Sequence, residues 1–180
     1  MTRSLAVAHL EQGSARLDVR RALHLDPEWV CRALADPVWL GHELAAGRPT
    51  AIDAGPDDGL VRRIETDLAL PLGGEGRVVT FRKAALVDIG AEESTVTGCR
   101  FEVAWQAASF APLFPVFAGQ LAVGPGALRL RGAYAPPGGA VGLVIDRAIL
   151  HHVAWRTAGW FLDRLLERAE VTARWDARPS

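Results

Sequence analysis

The chain has 180 residues, of which 49% are hydrophobic and 23% charged, and its net charge at neutral pH is -1. These values are those of an ordinary globular protein, so the composition excludes a disordered chain. The near-neutral charge gives no broad electrostatic reason to bind nucleic acid or an anionic membrane. A chain of this length fits one domain with a substantial core, so we expect residues 1–180 to form a single domain.

The N-terminal segment and the two cysteines bear on the cellular compartment. Residues 1–10 contain too short an apolar run for a secretory signal, and no stretch approaches the roughly 18 apolar residues that a membrane span needs. The default expectation is therefore the cytoplasm. Cys31 and Cys99 fall in a predicted helix and a predicted strand, without redox or zinc spacing. We expect two buried free thiols, no disulfide and no structural metal.

The N-terminal part predicts a strand followed by two short helices. Apolar and charged residues alternate over residues 15–25, as in a half-buried strand. Asp26 and Pro27 form a strong helix start, and that helix should end at the next Asp-Pro pair, where a second helical segment covers residues 37–46. Arg21 shares the parity of the apolar strand face, so it lies either near a bulge or as an inward polar group.

Turn formers dominate residues 47–59, which predicts a loop, and strands separated by short turns follow. Short turns join neighbouring antiparallel strands, so the pattern predicts a meander with one apolar and one charged face. Arg62 has inward parity in this register. The strands are predicted at residues 60–70, 77–89, 94–107, 113–123 and 128–135, with an acidic turn at Glu92 and Glu93.

One long helix is predicted over residues 140–170, which contain no proline and only two glycines. At 100° per residue, Trp155, Gly159 and Leu162 fall on one apolar stripe, and most of the charged residues lie off it. Because the other predicted elements are mostly strands, a sheet should cover this stripe. The core should extend over about residues 15–171, and residues 172–180 should fray.

This order of elements resembles the helix-grip fold of the START-like superfamily, also called SRPBCC or Bet v 1-like. The superfamily includes plant pathogenesis-related allergens, lipid-transfer START domains, polyketide cyclases and coenzyme Q-binding proteins. The segments FPVFAG, LRLRGAYAPPGG and VGLVIDRAILHHVAWRTAGWF are similar to those of uncharacterised bacterial members. The resemblance implies an α+β fold, in which a curved antiparallel sheet wraps around the C-terminal helix. It also implies an interior cavity that holds an apolar small molecule.

Most catalytic signatures are absent from the sequence, including GxSxG, HExxH, the Walker A pattern and a GxGxxG that opens a helix. We therefore assign no catalytic residue. His151 and His152 point about 100° apart on the predicted helix, too far for a shared metal site. His151 lies on the flank of the apolar stripe, either as an ordinary boundary histidine or as a polar group that faces a ligand.

The aromatic residues give a candidate ligand site. Several of them share the apolar face of neighbouring predicted strands or the stripe of the long helix, where the resemblance implies a cavity. Ordinary core filling is the alternative explanation. The predicted ligand-binding residues are Phe101, Trp105, Phe117, Tyr134, His151 and Trp155.

We therefore expect a protein that binds a lipid-like or polycyclic, polyketide-like molecule in this cavity, without covalent chemistry or a cofactor. The first alternative is a cyclase-, dehydratase- or hydrolase-type enzyme, in which His151, Tyr134 or an inward arginine acts on a bound substrate. The second is a protein-interaction module with a collapsed cavity. Cavity volume and the polarity of its wall distinguish the three. We expect neither nucleic acid nor integral membrane association, and the sequence predicts no oligomeric state.

Overall fold

The computed structural model describes residues 14–44, 50–53, 60–72, 79–108, 116–135 and 147–176. These residues form seven strands and three helices. In chain order the elements are β1 (Ala15–Ala22), α1 (Pro27–Ala35), α2 (Pro37–Glu43), β2 (Thr50–Asp53), β3 (Leu60–Leu72), β4 (Val79–Thr95), β5 (Gly98–Ala107), β6 (Val116–Gly124), β7 (Ala127–Ala135) and α3 (Arg147–Asp176).

All strands belong to one antiparallel sheet with the order β1-β7-β6-β5-β4-β3-β2. Strands β2 to β7 pair with their neighbours along the chain, whereas β1 pairs with β7 at the far side. Helix α3 contacts both β1, at one edge of the sheet, and β3, which is next to the strand at the opposite edge. A flat sheet would not bring these two strands to one helix, so the sheet curves around α3. The predicted α+β helix-grip architecture is confirmed.

Local side-chain hydrogen bonds explain why the two short helices begin where they do. The Asp26 carboxylate accepts a hydrogen bond from the backbone N–H of Glu28 at 3.1 Å. Asp36 does the same for Val38 at 2.8 Å, and each helix has proline in its first turn. These caps satisfy backbone donors that a helix leaves without internal partners. The predicted starts of both helices are confirmed, while predicted helical residues 45 and 46 lie outside the described residues.

Two predictions within the meander are wrong. Residues 50–53, assigned to a loop, form edge strand β2, because pairing with β3 outweighs their turn-forming composition. The acidic turn at Glu92 and Glu93 is also wrong, since β4 runs through both residues and the chain turns at Val96 and Thr97. Both glutamates pair with β5, after a register shift between Ile89 and Glu92. The sequence also predicts a turn at Gly73-Gly74, between the strands at 60–70 and 77–89, and this pair lies outside the described residues.

Helix α3 extends further than the sequence predicts. Residues 140–146 lie outside the described part of the chain, but the helix continues past 170 to Asp176. Part of the tail that we expected to fray is therefore helical. The indole N–H of Trp39 donates a hydrogen bond to the Thr172 hydroxyl at 3.0 Å, which ties this last part of α3 to α2.

Two glycines allow β6 and β7 to approach closely. Gly119 and Gly132 are cross-strand partners. A Cβ at Gly132 would lie 2.3 Å from the carbonyl oxygen of Ala118 and 2.8 Å from Cε2 of Phe117. Only glycine is compatible with such contacts. The absence of a side chain at Gly132 therefore lets the ring of Phe117 lie against β7.

Arg21 of β1 points inward, toward α3. Its Nε donates to Oδ1 of Asp163 at 2.5 Å and its Nη2 to Oδ2 at 3.2 Å. A Cβ at Gly159 would lie 2.6 Å from Nη2, so this glycine makes room for the guanidinium. The inward-polar alternative for Arg21 is confirmed. Arg62 also has inward parity, because it pairs with buried Ile89.

Arginines on the outer face of the sheet pair with acids on neighbouring strands. Arg63 forms two hydrogen bonds to Asp88, of 2.6 and 2.7 Å. Arg129 forms two to Asp18, of 2.8 and 2.6 Å. The Arg129 bonds lower the pKa of Asp18 to about 2, with a further contribution from Arg131. The outer face is thus stabilised by charge pairing and the inner face by apolar packing.

A disulfide joins Cys31 of α1 to Cys99 of β5, with their Cα atoms 6.0 Å apart. The prediction of two free thiols and no disulfide is therefore wrong. Helix α1 packs across β5, and this tertiary contact brings together cysteines that are 68 residues apart in sequence. Disulfides are typical of oxidising compartments, which argues against the cytoplasmic default; that location stays a prediction. None of the described helices is long and apolar enough to cross a membrane.

Candidate functional site

Three aromatic residues lie side by side across the inner face of the sheet. Trp105 of β5 pairs with Phe117 of β6, and Phe117 pairs with Tyr134 of β7. All three are buried. We call these three residues the aromatic row. The sheet register therefore brings together three of the predicted site residues.

The rings of the aromatic row pack closely against each other and against α3. Trp105 and Phe117 are stacked, with ring centroids 4.1 Å apart and an interplanar angle of 21°. Phe161 of α3 lies against Trp105, with a centroid separation of 5.6 Å. This face of Trp105 is thus covered by another ring and excluded from water.

The indole N–H of Trp105 is a buried donor without an acceptor. The residue is 1% exposed, and its Nε1 has no hydrogen-bond partner among the residues that the structure describes. Burying such a donor costs about 1–3 kcal/mol when no hydrogen bond replaces those to water. Trp39 is different, because its N–H donates to Thr172. The Trp105 N–H is therefore a group that an acceptor on a bound molecule would satisfy.

A second polar group lies at the other end of the aromatic row. The Tyr134 hydroxyl is 3.0 Å from Nδ1 of His151, the first of the two adjacent histidines on α3. Tyr134 is 4% exposed, and this burial raises the pKa of its hydroxyl. His151 is exposed. The hydroxyl donates when Nδ1 carries no proton and accepts when it does, so the pair connects a buried phenol to a solvent-accessible imidazole.

The other two predicted site residues have different outcomes. Phe101 is buried on the same sheet face, where it pairs with Leu121 and not with a member of the aromatic row. Trp155 is 43% exposed, so its predicted place on the inward stripe of the helix is wrong. Trp155 lies one helical turn before Gly159, against which the Arg21 guanidinium packs. The described residues leave the Trp155 side chain partly exposed to solvent.

The buried stripe of α3 is rotated from the predicted one. Sequence periodicity placed Trp155 near its centre and left Phe161 out, although Phe161 is the helix residue whose ring lies against Trp105. Three alanines, Ala154, Ala158 and Ala169, belong to the stripe, and such small side chains leave the helix phase poorly defined by hydrophobicity alone. The buried residues are Val153, Ala154, Thr157, Ala158, Gly159, Phe161, Leu162, Leu165 and Ala169.

A small void and an open cleft adjoin α3 within the described residues. A void of about 10 Å3 between α1, α2 and α3 has room for one water at most. An open cleft of about 660 Å3 lies between α2, β3 and α3. Its wall is mainly charged, with Glu43 and Arg168 3.5 Å apart and Trp160 as the main apolar surface. This cleft is suited to a polar occupant more than to an apolar one.

One group of potential metal ligands occurs within the described ranges. Cys31, Glu92 and Cys99 place two sulfurs and a carboxylate oxygen within 4.8 Å of one another. Disulfide sulfurs are poor metal ligands, since thiolates are the binding form. The sequence did not reveal this group, because its members are far apart in the chain and their proximity depends on α1 crossing β5. The expected absence of a structural metal stays a prediction.

Comparison with known proteins identifies the fold. No protein-family model and no curated protein matches the sequence. Among solved structures, the chain is similar to the Zhui aromatase/cyclase from Streptomyces sp. R1128, with 15% identity and a TM-score of 0.58. The match covers 93% of this chain and 100% of that one.

Two further solved structures agree. The di-domain aromatase/cyclase BexL of the BE-7585A biosynthetic pathway matches with 12% identity and a TM-score of 0.52, over 96% of this chain and 54% of that one. Ara h 8.0201 matches with 11% identity and a TM-score of 0.51, over 88% and 99%. At these identities the similarity shows the fold alone.

Proposed function

We propose that this chain, which has the START-like, Bet v 1-like helix-grip fold, binds a hydrophobic small molecule between the sheet and α3. The observation that carries the proposal is the buried N–H of Trp105, which has no acceptor within the described residues. A donor held in an aromatic environment is suited to a ligand that is largely apolar but carries a carbonyl or hydroxyl oxygen. The fold shared with two aromatase/cyclases supports a polycyclic or polyketide-like ligand.

The aromatic row also suggests the dimensions of the ligand. Trp105 and Tyr134 are two strands apart, so their backbones are separated by roughly 10 Å. A molecule of two or three fused rings spans that distance, with one oxygen near the Trp105 N–H and another near Tyr134 and His151. Most affinity would come from buried apolar area, at about 25 cal/mol per Å2 before the costs of association.

Ligand entry requires a local rearrangement. Phe161 lies against Trp105, and Tyr134 is bonded to His151, so both contacts between α3 and the aromatic row change when a ligand enters. The side chains of His151, His152 and Trp155 near the start of α3 are exposed. Val153 and Ala154, which lie between them, are buried, so movement of this part of the helix exposes these two apolar side chains.

The test is titration with a naphthyl ketone whose fluorescence changes in apolar surroundings. Trp105→Phe keeps an aromatic ring and removes the N–H, and Trp155→Phe is the matched control at an exposed tryptophan. We expect saturable binding by the wild type and the control, and about 5- to 10-fold weaker binding by Trp105→Phe, which corresponds to one hydrogen bond. Absence of saturable binding by the wild type, or equal affinity of Trp105→Phe, would contradict the proposal.

A second candidate is an enzyme of the cyclase type, which the contact between Tyr134 and His151 favours. A buried phenol bonded to an imidazole can deliver or remove a proton at a bound carbonyl compound. The test is conversion of a linear poly-β-ketone thioester, with Tyr134→Phe and His151→Ala as variants. Conversion that both variants lose while they still bind the naphthyl ketone would support an enzyme. Binding without conversion would support a carrier.

The third interpretation, an interaction module with a collapsed interior, is the outcome if the wild type binds no apolar probe. The stacking of Trp105 on Phe117, beneath Phe161, would then serve only to fill the core.

A further inference from the structure

We propose that reduction of the Cys31–Cys99 disulfide creates, together with Glu92, a three-ligand site for a zinc-type divalent cation. This inference is independent of the proposed ligand site, which lies around the aromatic row. It revises the expectation of no structural metal for the reduced protein only.

The three ligand atoms are already near one another. The two sulfurs and a carboxylate oxygen of Glu92 lie within 4.8 Å of one another. In a tetrahedral site with Zn–S distances of about 2.3 Å and Zn–O distances of about 2.0–2.2 Å, ligand atoms are roughly 3.5–4 Å apart. Opening the disulfide lets the sulfurs separate to that distance, and Glu92 needs only a small movement.

A bulge in β4 explains why an acidic residue is present at this position. Before the bulge, Ile89 pairs with Val103; after it, Glu92 pairs with Phe101 and Ser94 with Cys99. Cross-strand partners point to the same face of a sheet. The shift therefore places Glu92 on the face that carries Cys99. With unbroken alternation, the residue on that face would be Ala91, which has no ligand atom.

Glu92 also differs from its acidic neighbours in having no ion-pair partner among the described residues. Glu93 forms an ion pair with Arg100 at 3.8 Å, and Glu28 forms one with Arg32 at 3.2 Å. The side chain of Glu92 makes no hydrogen bond or ion pair with any residue in the described ranges, and the residue is exposed. Its carboxylate can therefore become a metal ligand without breaking an existing interaction.

The site lies beside an open cleft, where Cys31 is 4% exposed and Cys99 is 1% exposed. An open cleft of about 560 Å3 lies between α1 and the β4–β5 turn, and Cys31, Arg32 and Glu92 are among the residues that line it. The cleft is wide enough for a hydrated cation and for the thiol of a reductant. Cys31 borders it directly, so we expect attack at the Cys31 sulfur.

The chemistry balances as follows. A dithiol reductant donates two electrons and two protons; its own sulfurs form a disulfide, and Cys31 and Cys99 become thiols. Binding of Zn2+ then releases two protons, and the two thiolates and the Glu92 carboxylate occupy three positions, with water in the fourth. Thiolates favour zinc over magnesium or calcium. The metal would keep α1 attached to β5 under reducing conditions, in place of the covalent link.

The test is titration of Co2+ into the full chain, reduced with a phosphine under anaerobic conditions. Cobalt bound by thiolates gives an intense charge-transfer absorption in the near ultraviolet. We expect uptake of one equivalent by the reduced wild type and none by the oxidised protein. Glu92→Gln should weaken binding by roughly 100-fold, since loss of a ligand costs at least as much as loss of an outer-shell partner. Glu93→Gln, the matched control, should bind as the wild type does.

Three results would overturn the inference: no thiolate-cobalt absorption from the reduced wild type, equal affinity in Glu92→Gln and Glu93→Gln, or a reduced chain that unfolds without taking up cobalt. Near-ultraviolet circular dichroism, recorded on each sample, identifies the last case. Zinc competition that removes the cobalt absorption at equal stoichiometry would support the proposed metal site further.

Discussion

The end of the sheet that carries the disulfide (the disulfide end) and the end that carries the aromatic row (the aromatic end) are stabilised in different ways. At the disulfide end, Cys31 is bonded to Cys99, and Trp39 donates to Thr172. At the aromatic end, about 20 Å away along β5, the N–H of Trp105 has no acceptor within the described residues. One end therefore gains stability from covalent and hydrogen-bonded links, while the other carries a buried polar group whose cost is not offset. That contrast identifies the aromatic end as the better candidate for binding.

The largest expected effect comes from removing the disulfide. The double variant Cys31→Ala, Cys99→Ala should lower the free energy of unfolding by about 4 kcal/mol, because a bridge that closes a loop of 68 residues strongly restricts the unfolded chain. Urea denaturation of the oxidised wild type and the variant measures the difference. A loss below about 1 kcal/mol would show that the disulfide end does not depend on its covalent link.

A methyl group added at Gly132 should destabilise the aromatic end. Its Cβ would lie 2.3 Å from a backbone oxygen of β6, so the strands must separate, and we expect Gly132→Ala to cost about 2–3 kcal/mol. Gly124→Ala is the matched control on β6, because a Cβ there meets nothing within 4 Å. Thermal or urea unfolding compares the two. Equal stability of the two variants would contradict the close approach of β6 and β7.

Double-mutant cycles should distinguish the hydrogen-bonded indole of Trp39 from that of Trp105, which has no acceptor within the described residues. Trp39→Phe combined with Thr172→Val should give a coupling of about 1 kcal/mol, the value of one hydrogen bond. Trp105→Phe combined with Tyr134→Phe should give less than about 0.5 kcal/mol, because no hydrogen bond joins these residues. A coupling at the aromatic end as large as that at the disulfide end would remove the distinction.

The smallest effect concerns Tyr134, the only tyrosine in the chain. Because burial raises the pKa of its hydroxyl above the ordinary value of 10.0, the folded protein should begin to absorb as phenolate at higher pH than the urea-unfolded protein. The folded state favours the protonated form, so this contribution to stability is present below pH 10 and is lost as the pH rises further. Absorbance at the phenolate band follows both titrations. Coincident curves would show that Tyr134 is not buried.

Features that depend on neighbouring residues could be predicted from the sequence. The caps at Asp26 and Asp36 are contacts between residues two apart, and they fix the starts of both short helices. Alternation within single strands gave the two faces of the meander and the inward parity of Arg21. The aromatic row followed from the same alternation, because residues on one face of adjacent strands become neighbours.

Features that depend on distant contacts could not be predicted. The disulfide requires α1 to cross β5, and nothing within the 68 residues between the cysteines indicates that crossing. The bulge before Glu92 shifts the alternation of β4 by one residue. Inward and outward positions counted from Ile89 are therefore exchanged beyond the bulge. The phase of α3 was placed on Trp155 because hydrophobicity alone does not separate that face from the one that carries Phe161.

The bond between Arg21 and Asp163 has a consequence for how α3 can move. It attaches the helix at a point inside its length, with the guanidinium held above Gly159. A helix held at one internal point can tilt about that point, but it cannot slide along its own axis without breaking the ion pair. His151 lies eight residues before Gly159, about 12 Å along the helix, so a tilt of about 10° would displace it by about 2 Å. That displacement is enough to separate His151 from Tyr134 while the attachment remains in place. The same tilt of a straight helix moves Thr172, 13 residues beyond Gly159, by about 3 Å, so it also breaks the hydrogen bond from Trp39.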